Sequence, residues 1–148
     1  MYDLMIIGSG PAGISAALTA KARNLNFIWF GSRALSTKIE KAEKIMNYPG
    51  LPAVTGSEMQ SVFLKQIDDC GITITESQVN SIYDCGGYFA AGADNEIYEA
   101  KAVIMTVGMT TTREIEGEAR LLGCGVSYCA TCDGALYKNK DCCYMCIT

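Results

Sequence analysis

The sequence predicts an α/β fold that opens on a parallel sheet, and three observations predict it. A short, mostly apolar run spans Tyr2–Ile7, suited to a strand buried on both faces. It runs directly into Gly8-Ser9-Gly10-Pro11-Ala12-Gly13, followed by Ile14–Ala22, rich in small helix formers. A second apolar run, Asn26–Phe30, then reads as the next parallel strand and completes a Rossmann-type βαβ unit.

In that unit each glycine has a separate physical task. Gly8 permits a tight turn, Gly10 lets a pyrophosphate approach the backbone, and Gly13 lets the helix pack close to the strand. The helix N-terminus offers its N–H groups and positive dipole end to the phosphates. The alternative is a glycine turn that holds no ligand. An Asp or Glu for a ribose hydroxyl is expected about 20 residues past the glycines. This chain has Gly31-Ser32-Arg33 there, and the next acid is Glu40.

Further along, 36–44 is charged and reads as surface, and Ile45-Met46-Asn47-Tyr48-Pro49-Gly50 is a turn with a buried lead-in. Thr55-Gly56-Ser57-Glu58 opens a helix over 57–70, in which Met59, Val62, Phe63, Ile67 and Cys70 share an apolar face. Gly71 stops it, and Ile72-Thr73-Ile74-Thr75 alternates as a strand. A small antiparallel β insert follows: Val79–Tyr83, a Gly86-Gly87 turn, Tyr88–Ala91, a turn at Asp94-Asn95, then Ile97-Tyr98. Lys101–Val107 reads as a further buried strand closed by Gly108, and Thr110–Glu118 as a polar linker. A domain boundary falls there, giving 1–112 as one domain and 113–148 as the start of a second. Cys70, Cys85 and Cys124 read as buried small apolar residues.

At 148 residues, 49% apolar and 19% charged, the composition is that of an ordinary globular protein. A net charge of −4 with no basic block argues against nucleic acid as partner. No run approaches a membrane span, and Asp3 precedes an apolar run that meets glycines rather than a cleavage site. The expectation is a cytoplasmic chain, in which eight cysteines are not a disulfide framework. With no histidine, acid–base work falls to carboxylates, Lys, Tyr or Cys.

The second motif is Cys129-Ala130-Thr131-Cys132-Asp133-Gly134. Two thiols at this spacing close and reopen a small disulfide ring, which is redox chemistry when one has a lowered pKa and a partner in reach. The alternatives are half a zinc site or two structural cysteines. Cys129-x-x-Cys132 and Cys143-x-x-Cys146 make two pairs separated by ten residues, so four thiolates for zinc are one rival. A simple nucleotide-binding module is another.

Taken together, the glycine loop, Asn47-Tyr48-Pro49-Gly50, Val103–Gly108, Gly117-Glu118 and Gly125-Val126-Ser127-Tyr128 leading into the cysteine pair resemble one family. The chain resembles the N-terminal half of low-molecular-weight, bacterial-type thioredoxin reductases, from Tyr2 to about Lys140. The resemblance implies a Rossmann-type FAD-binding domain and reduction of a protein disulfide on a thioredoxin-like partner. It also implies NADPH as donor and a homodimer in the full-length family. By that resemblance Gly8, Gly10, Pro11, Ala12 and Gly13 cradle the FAD pyrophosphate, Asn47 lies next to the flavin, and the Val79 backbone meets the adenine. Gly108 ends the last strand before the linker. Cys132 is implied as the thiol nearer the flavin, Cys129 as the one that attacks the partner, and Asp133 as the proton donor and acceptor.

Two departures qualify the likeness. Gly31-Ser32-Arg33-Ala34-Leu35 replaces the usual Gly-Gly-Gln segment, which resembles a clostridial-type branch, some of whose members draw electrons from ferredoxin. Cys146-Ile147-Thr148 stands where a second glycine loop for NADPH is expected. The expectation is a truncated or frame-shifted, inactive fragment that binds FAD weakly or not at all.

Overall fold

A computed structural model describes residues 1–108, 116–121, 124–127 and 134–143. The chain divides into two compact units, one of 1–44 with 54–108, the other of 45–53 with 109–148. The first unit holds strands β1 (Tyr2–Ile7), β2 (Phe27–Phe30), β3 (Val79–Asp84), β4 (Phe89–Ala93) and β5 (Glu96–Met105). Its helices are α1 (Pro11–Ala22), α2 (Thr37–Glu40) and α3 (Gly56–Asp69). The strands form one five-stranded sheet in the order β2-β1-β5-β4-β3. The β1 strand pairs parallel with both β2 and β5, while β4 pairs antiparallel with β5 and β3.

The parallel part and the antiparallel insert are therefore one sheet, sharing β5. The expected strands at Ile97-Tyr98 and Lys101–Val107 are a single ten-residue strand ending at Met105. Its first half pairs with β4 as far as Ala100, where β4 begins at Phe89. Beyond Ala100 it is not buried as expected: Lys101, Ala102, Ile104 and Met105 are exposed. The cause is geometric, because β4 covers that edge only over the first half.

Turn chemistry sets the register. Asp94 and Asn95 both take positive φ, 46° and 67°, the two-residue hairpin turn whose twist matches the strands it joins. One buried cluster gathers Met5, Ile7, Ile28 and Phe30 of the parallel strands with Ala91, Ala93 and Ala100 of the meander, so the two parts of the sheet share a core. The Phe30 and Tyr98 rings meet edge-on at 5.0 Å. Alternation turns Leu4, Ile6 and Trp29 to the opposite face, where α1 lies against β1 and β5.

Both long helices carry identifiable stops. In α1 Asn24 takes φ 55°, with N–H bonds from Asn24 to Lys21 O and from Leu25 to Ala20 O. In α3 Gly71 takes φ 59°, with N–H bonds from Gly71 to Asp68 O and from Ile72 to Ile67 O. Each is a Schellman closure. The α3 start is equally defined, since Thr55 Oγ1 accepts from the Glu58 N–H and the Glu58 carboxylate accepts from the Thr55 N–H.

Three further expectations change. Met59, Phe63 and Ile67 are buried on α3, but Val62 is 44% exposed and Cys70 is exposed, so the apolar stripe is narrower than its spacing suggests. The alternating segment 72–75 is no strand; only Thr75 bridges, parallel, to Phe30. Gly71 in the left-handed region turns the chain, and contact with β2 starts at its last residue. Cys85 and Cys124 are exposed rather than buried, Cys85 because it sits in the β3–β4 turn, where its N–H donates to Tyr88 O.

In the second unit, short helical turns lie at Glu118–Leu121 and Gly134–Tyr137, and the turn at Tyr48–Leu51 is closed by the Leu51 N–H on Tyr48 O. Asp141, Cys142 and Cys143 are exposed and outside any strand. Among the described residues no helix is long and apolar enough to cross a membrane.

Candidate functional site: the glycine turn between β1 and α1

The turn is built around the carbonyl group of Gly8. The Gly8 N–H donates to Phe30 O at 2.8 Å, extending the β1–β2 ladder by one residue. Two side chains donate to the Gly8 oxygen, the Trp29 indole N–H at 2.8 Å and the Thr106 hydroxyl at 3.0 Å, the latter shared with Ile7 O at 2.9 Å. Gly8 has φ 111°, and a Cβ there would meet the Thr106 carbonyl oxygen at 2.4 Å. Both conformation and space demand glycine. Trp29 and Thr106, from β2 and from just past β5, are positioning residues that spacing rules overlook. An indole N–H, the one side-chain donor in the otherwise apolar strand Phe27–Phe30, is the one signal that points to Trp29.

Gly13 faces the other side of the same carbonyl. A Cβ on it would sit 2.0 Å from Gly8 O and 2.9 Å from Thr106 Oγ1, so the helix approaches as closely as a backbone without side chain allows. Gly10 differs from both. Its φ of −71° is open to any residue, and a Cβ there would meet nothing within 4 Å. Neither strain nor crowding inside the protein asks for glycine at 10. A ligand backed against the main chain does.

The helix end agrees. Gly10 is the N-cap of α1 with Pro11 following, no side chain caps the helix, and no acid stands in its first turn. In contrast α3 has its capping box and Glu58. The α1 N-terminus thus keeps N–H groups and a positive dipole end for an anion, in a chain that caps its other long helix fully. Pro11 is partly buried and Ala12 exposed on the first turn. These residues fit a pyrophosphate.

The end of β2 is closed differently from the expected acidic pattern. Ser9 is buried, its hydroxyl donating to Leu35 O and accepting the Ser32 N–H, each at 3.0 Å. A Cβ on Gly31 would lie 2.5 Å from Ser9 Cβ. Arg33 turns its guanidinium to Asp68 in a bidentate pair at 3.0–3.1 Å, which holds the Arg33 pKa above its ordinary value.

Of the other residues singled out in the sequence, Gly108 has φ 70° and follows Thr106 by two residues, so it leaves the sheet beside the turn. Val79 is at the start of β3 and packs on the cluster that contains Ile7 and Phe30. Asn47 is exposed and belongs to the second unit. Cys129, Cys132 and Asp133 lie outside the described residues, as do Cys146 and most of the linker. Among the described residues no group of three or more Cys, Asp or Glu is placed to hold a metal ion. Cys143, the described member of the four-thiolate alternative, is exposed.

Comparison with known proteins agrees with this geometry. The sequence profile of the pyridine nucleotide-disulphide oxidoreductase family matches residues 2–144. A thioredoxin reductase of Bacillus subtilis is 32% identical over 95% of this chain and 45% of its own length. The crystal structure of a ferredoxin-flavin thioredoxin reductase from Clostridium acetobutylicum superposes with TM-score 0.74 at 48% identity, covering 93% of this chain and 48% of that one. Thioredoxin reductase from Streptococcus pyogenes gives TM-score 0.79 at 35% identity, covering 93% and 45%. The chain spans about half the length of the relatives it matches. None of these relatives supports the zinc alternative. A Rossmann-type glycine turn fitted to a pyrophosphate, together with a profile match over nearly the whole chain, makes this protein a member of the pyridine nucleotide-disulphide oxidoreductase family of flavoproteins.

Proposed function

We propose that the chain provides the FAD-binding part, within 1–112, and the dithiol, within 113–148, of a flavin-dependent reductase acting in the cytoplasm on a thioredoxin-like protein disulfide. The observation that carries the flavin half is Gly10: a glycine that the fold itself does not require, at the uncapped N-terminus of α1. Gly8, Gly10, Pro11, Ala12 and Gly13 hold the pyrophosphate, Gly10 and Ala12 by backbone approach, Gly8 and Gly13 by shaping the turn. Bound FAD would supply a two-electron carrier. Asn47, Val79 and Gly108 complete the assignment by resemblance.

The dithiol half is supported by the profile match, which runs through Cys129, Cys132 and Asp133. The Cys129 thiolate attacks the partner's disulfide, breaking that S–S bond and forming a mixed disulfide. The Cys132 sulfur then attacks Cys129, the second partner thiolate leaves, and a Cys129–Cys132 disulfide remains. Asp133 hands over the proton that the departing thiolate takes up. In the full-length enzyme a homodimer and an NADPH donor follow from resemblance to the family. The higher identity to the ferredoxin-flavin enzyme, 48% against 35% and 32%, favours a ferredoxin-type donor instead.

Thiol counting under cycles of oxidation and reduction tests the dithiol. Cys129 and Cys132 are expected to disappear and return together, and Cys129→Ser to leave Cys132 a free thiol throughout the cycle. Two thiols that titrate independently would contradict the reading.

A further inference from the structure

The end of β2 has no acid in sequence, and the structure explains why none fits at the first position. A side chain on Gly31 would collide with Ser9, whose hydroxyl bridges Leu35 and Ser32. Arg33, two residues on, has its guanidinium committed to Asp68. A carboxylate is nevertheless present there. Thr75 joins β2 by a parallel bridge to Phe30, with its N–H on Trp29 O at 2.7 Å and its carbonyl accepting the Gly31 N–H at 3.1 Å. That anchorage carries the next residue, Glu76, past the strand end, where its Oε1 accepts the Arg33 N–H at 2.8 Å.

We propose that Glu76 supplies in space the carboxylate missing in sequence, and holds the adenosine ribose hydroxyls of the bound dinucleotide; this rests on the flavin-binding reading above. One oxygen of the Glu76 carboxylate is oriented by the Arg33 backbone, which leaves the other to accept from a ribose diol. The acid at the end of β2 performs this task in Rossmann units generally. Here it arrives from a segment more than forty residues downstream, since |i−j| for the Arg33–Glu76 bond is 43. Arg33 in turn is kept from the ribose position by Asp68 on α3.

The test is a binding titration of the chain with ADP and with 2′,3′-dideoxy-ADP, which keeps the pyrophosphate and lacks the hydroxyls. Glu76→Gln retains an acceptor for the Arg33 N–H and is expected to weaken ADP about tenfold, the scale of one charge-assisted hydrogen bond, while leaving dideoxy-ADP unchanged. Arg33→Ala keeps the N–H that Glu76 accepts and is expected to leave ADP affinity within about twofold. Equal loss of both nucleotides in Glu76→Gln, no loss of ADP, or a matching loss in Arg33→Ala would overturn the proposal while leaving the flavin reading standing. Failure of the unsubstituted chain to bind ADP or FAD at all would overturn both.

Discussion

The oxygen of Gly8 is held from β2 by Trp29 and from beyond β5 by Thr106, and the same oxygen limits how close α1 can come. Two segments distant in sequence thus hold one carbonyl group, which orients the turn before any ligand arrives. Replacing Trp29 by Phe keeps most of the apolar bulk and removes one donor. Because Thr106 still serves the acceptor, the expected cost is about 1 kcal/mol, read as a lower midpoint in urea at unchanged slope. No change in midpoint would show that the indole bond contributes nothing. The roles of Gly8 and Gly13 were legible in the motif and its spacing. Trp29, Thr106 and Ser9 were not, because their importance comes from which backbone atoms they meet, and those atoms belong to other strands. The exposure of Cys70, Cys85 and Cys124 was also hidden. Cysteine is apolar enough to read as core, and only the turn around Cys85 and the closure of α3 decide otherwise.

Elements with a start and stop signal were read well. Thr55–Glu58 opens α3 and Gly71 closes it, as local sequence dictates. The Glu58 carboxylate accepts from the Thr55 backbone N–H and from its hydroxyl, and these bonds hold its pKa below the ordinary value. A group so depressed contributes stability above its unfolded pKa and loses it as pH falls through the folded one. Thr55→Ala should cost about 1 kcal/mol near neutral pH, with the deficit narrowing below about pH 4 as Glu58 protonates. Melting curves across pH check this, and a deficit that grows on acidification would contradict it. Elements whose character depends on partners were read less well. The β5 strand looked like two strands because its pattern changes at Ala100, where one neighbour ends. The 72–75 run alternates in sequence yet finds only one bridge, since nothing in four residues says whether a neighbour is in reach.

For the whole molecule, the α/β class follows from the order of apolar runs and glycine turns, whereas the merging of the insert into one sheet through β5 does not, and the chain matches about half of each full-length relative. What the first unit presents is a nucleotide turn whose three glycines are required for different reasons: by backbone conformation, by helix packing, and, at Gly10, by nothing within the protein. The most direct measurement is therefore FAD binding and thermal melting of Gly10→Ala beside the unsubstituted chain. The N-cap change should cost no more than about 1 kcal/mol, so the melting temperature stays within several degrees, while FAD affinity falls at least about tenfold. Unchanged FAD affinity in a folded Gly10→Ala chain would contradict the account.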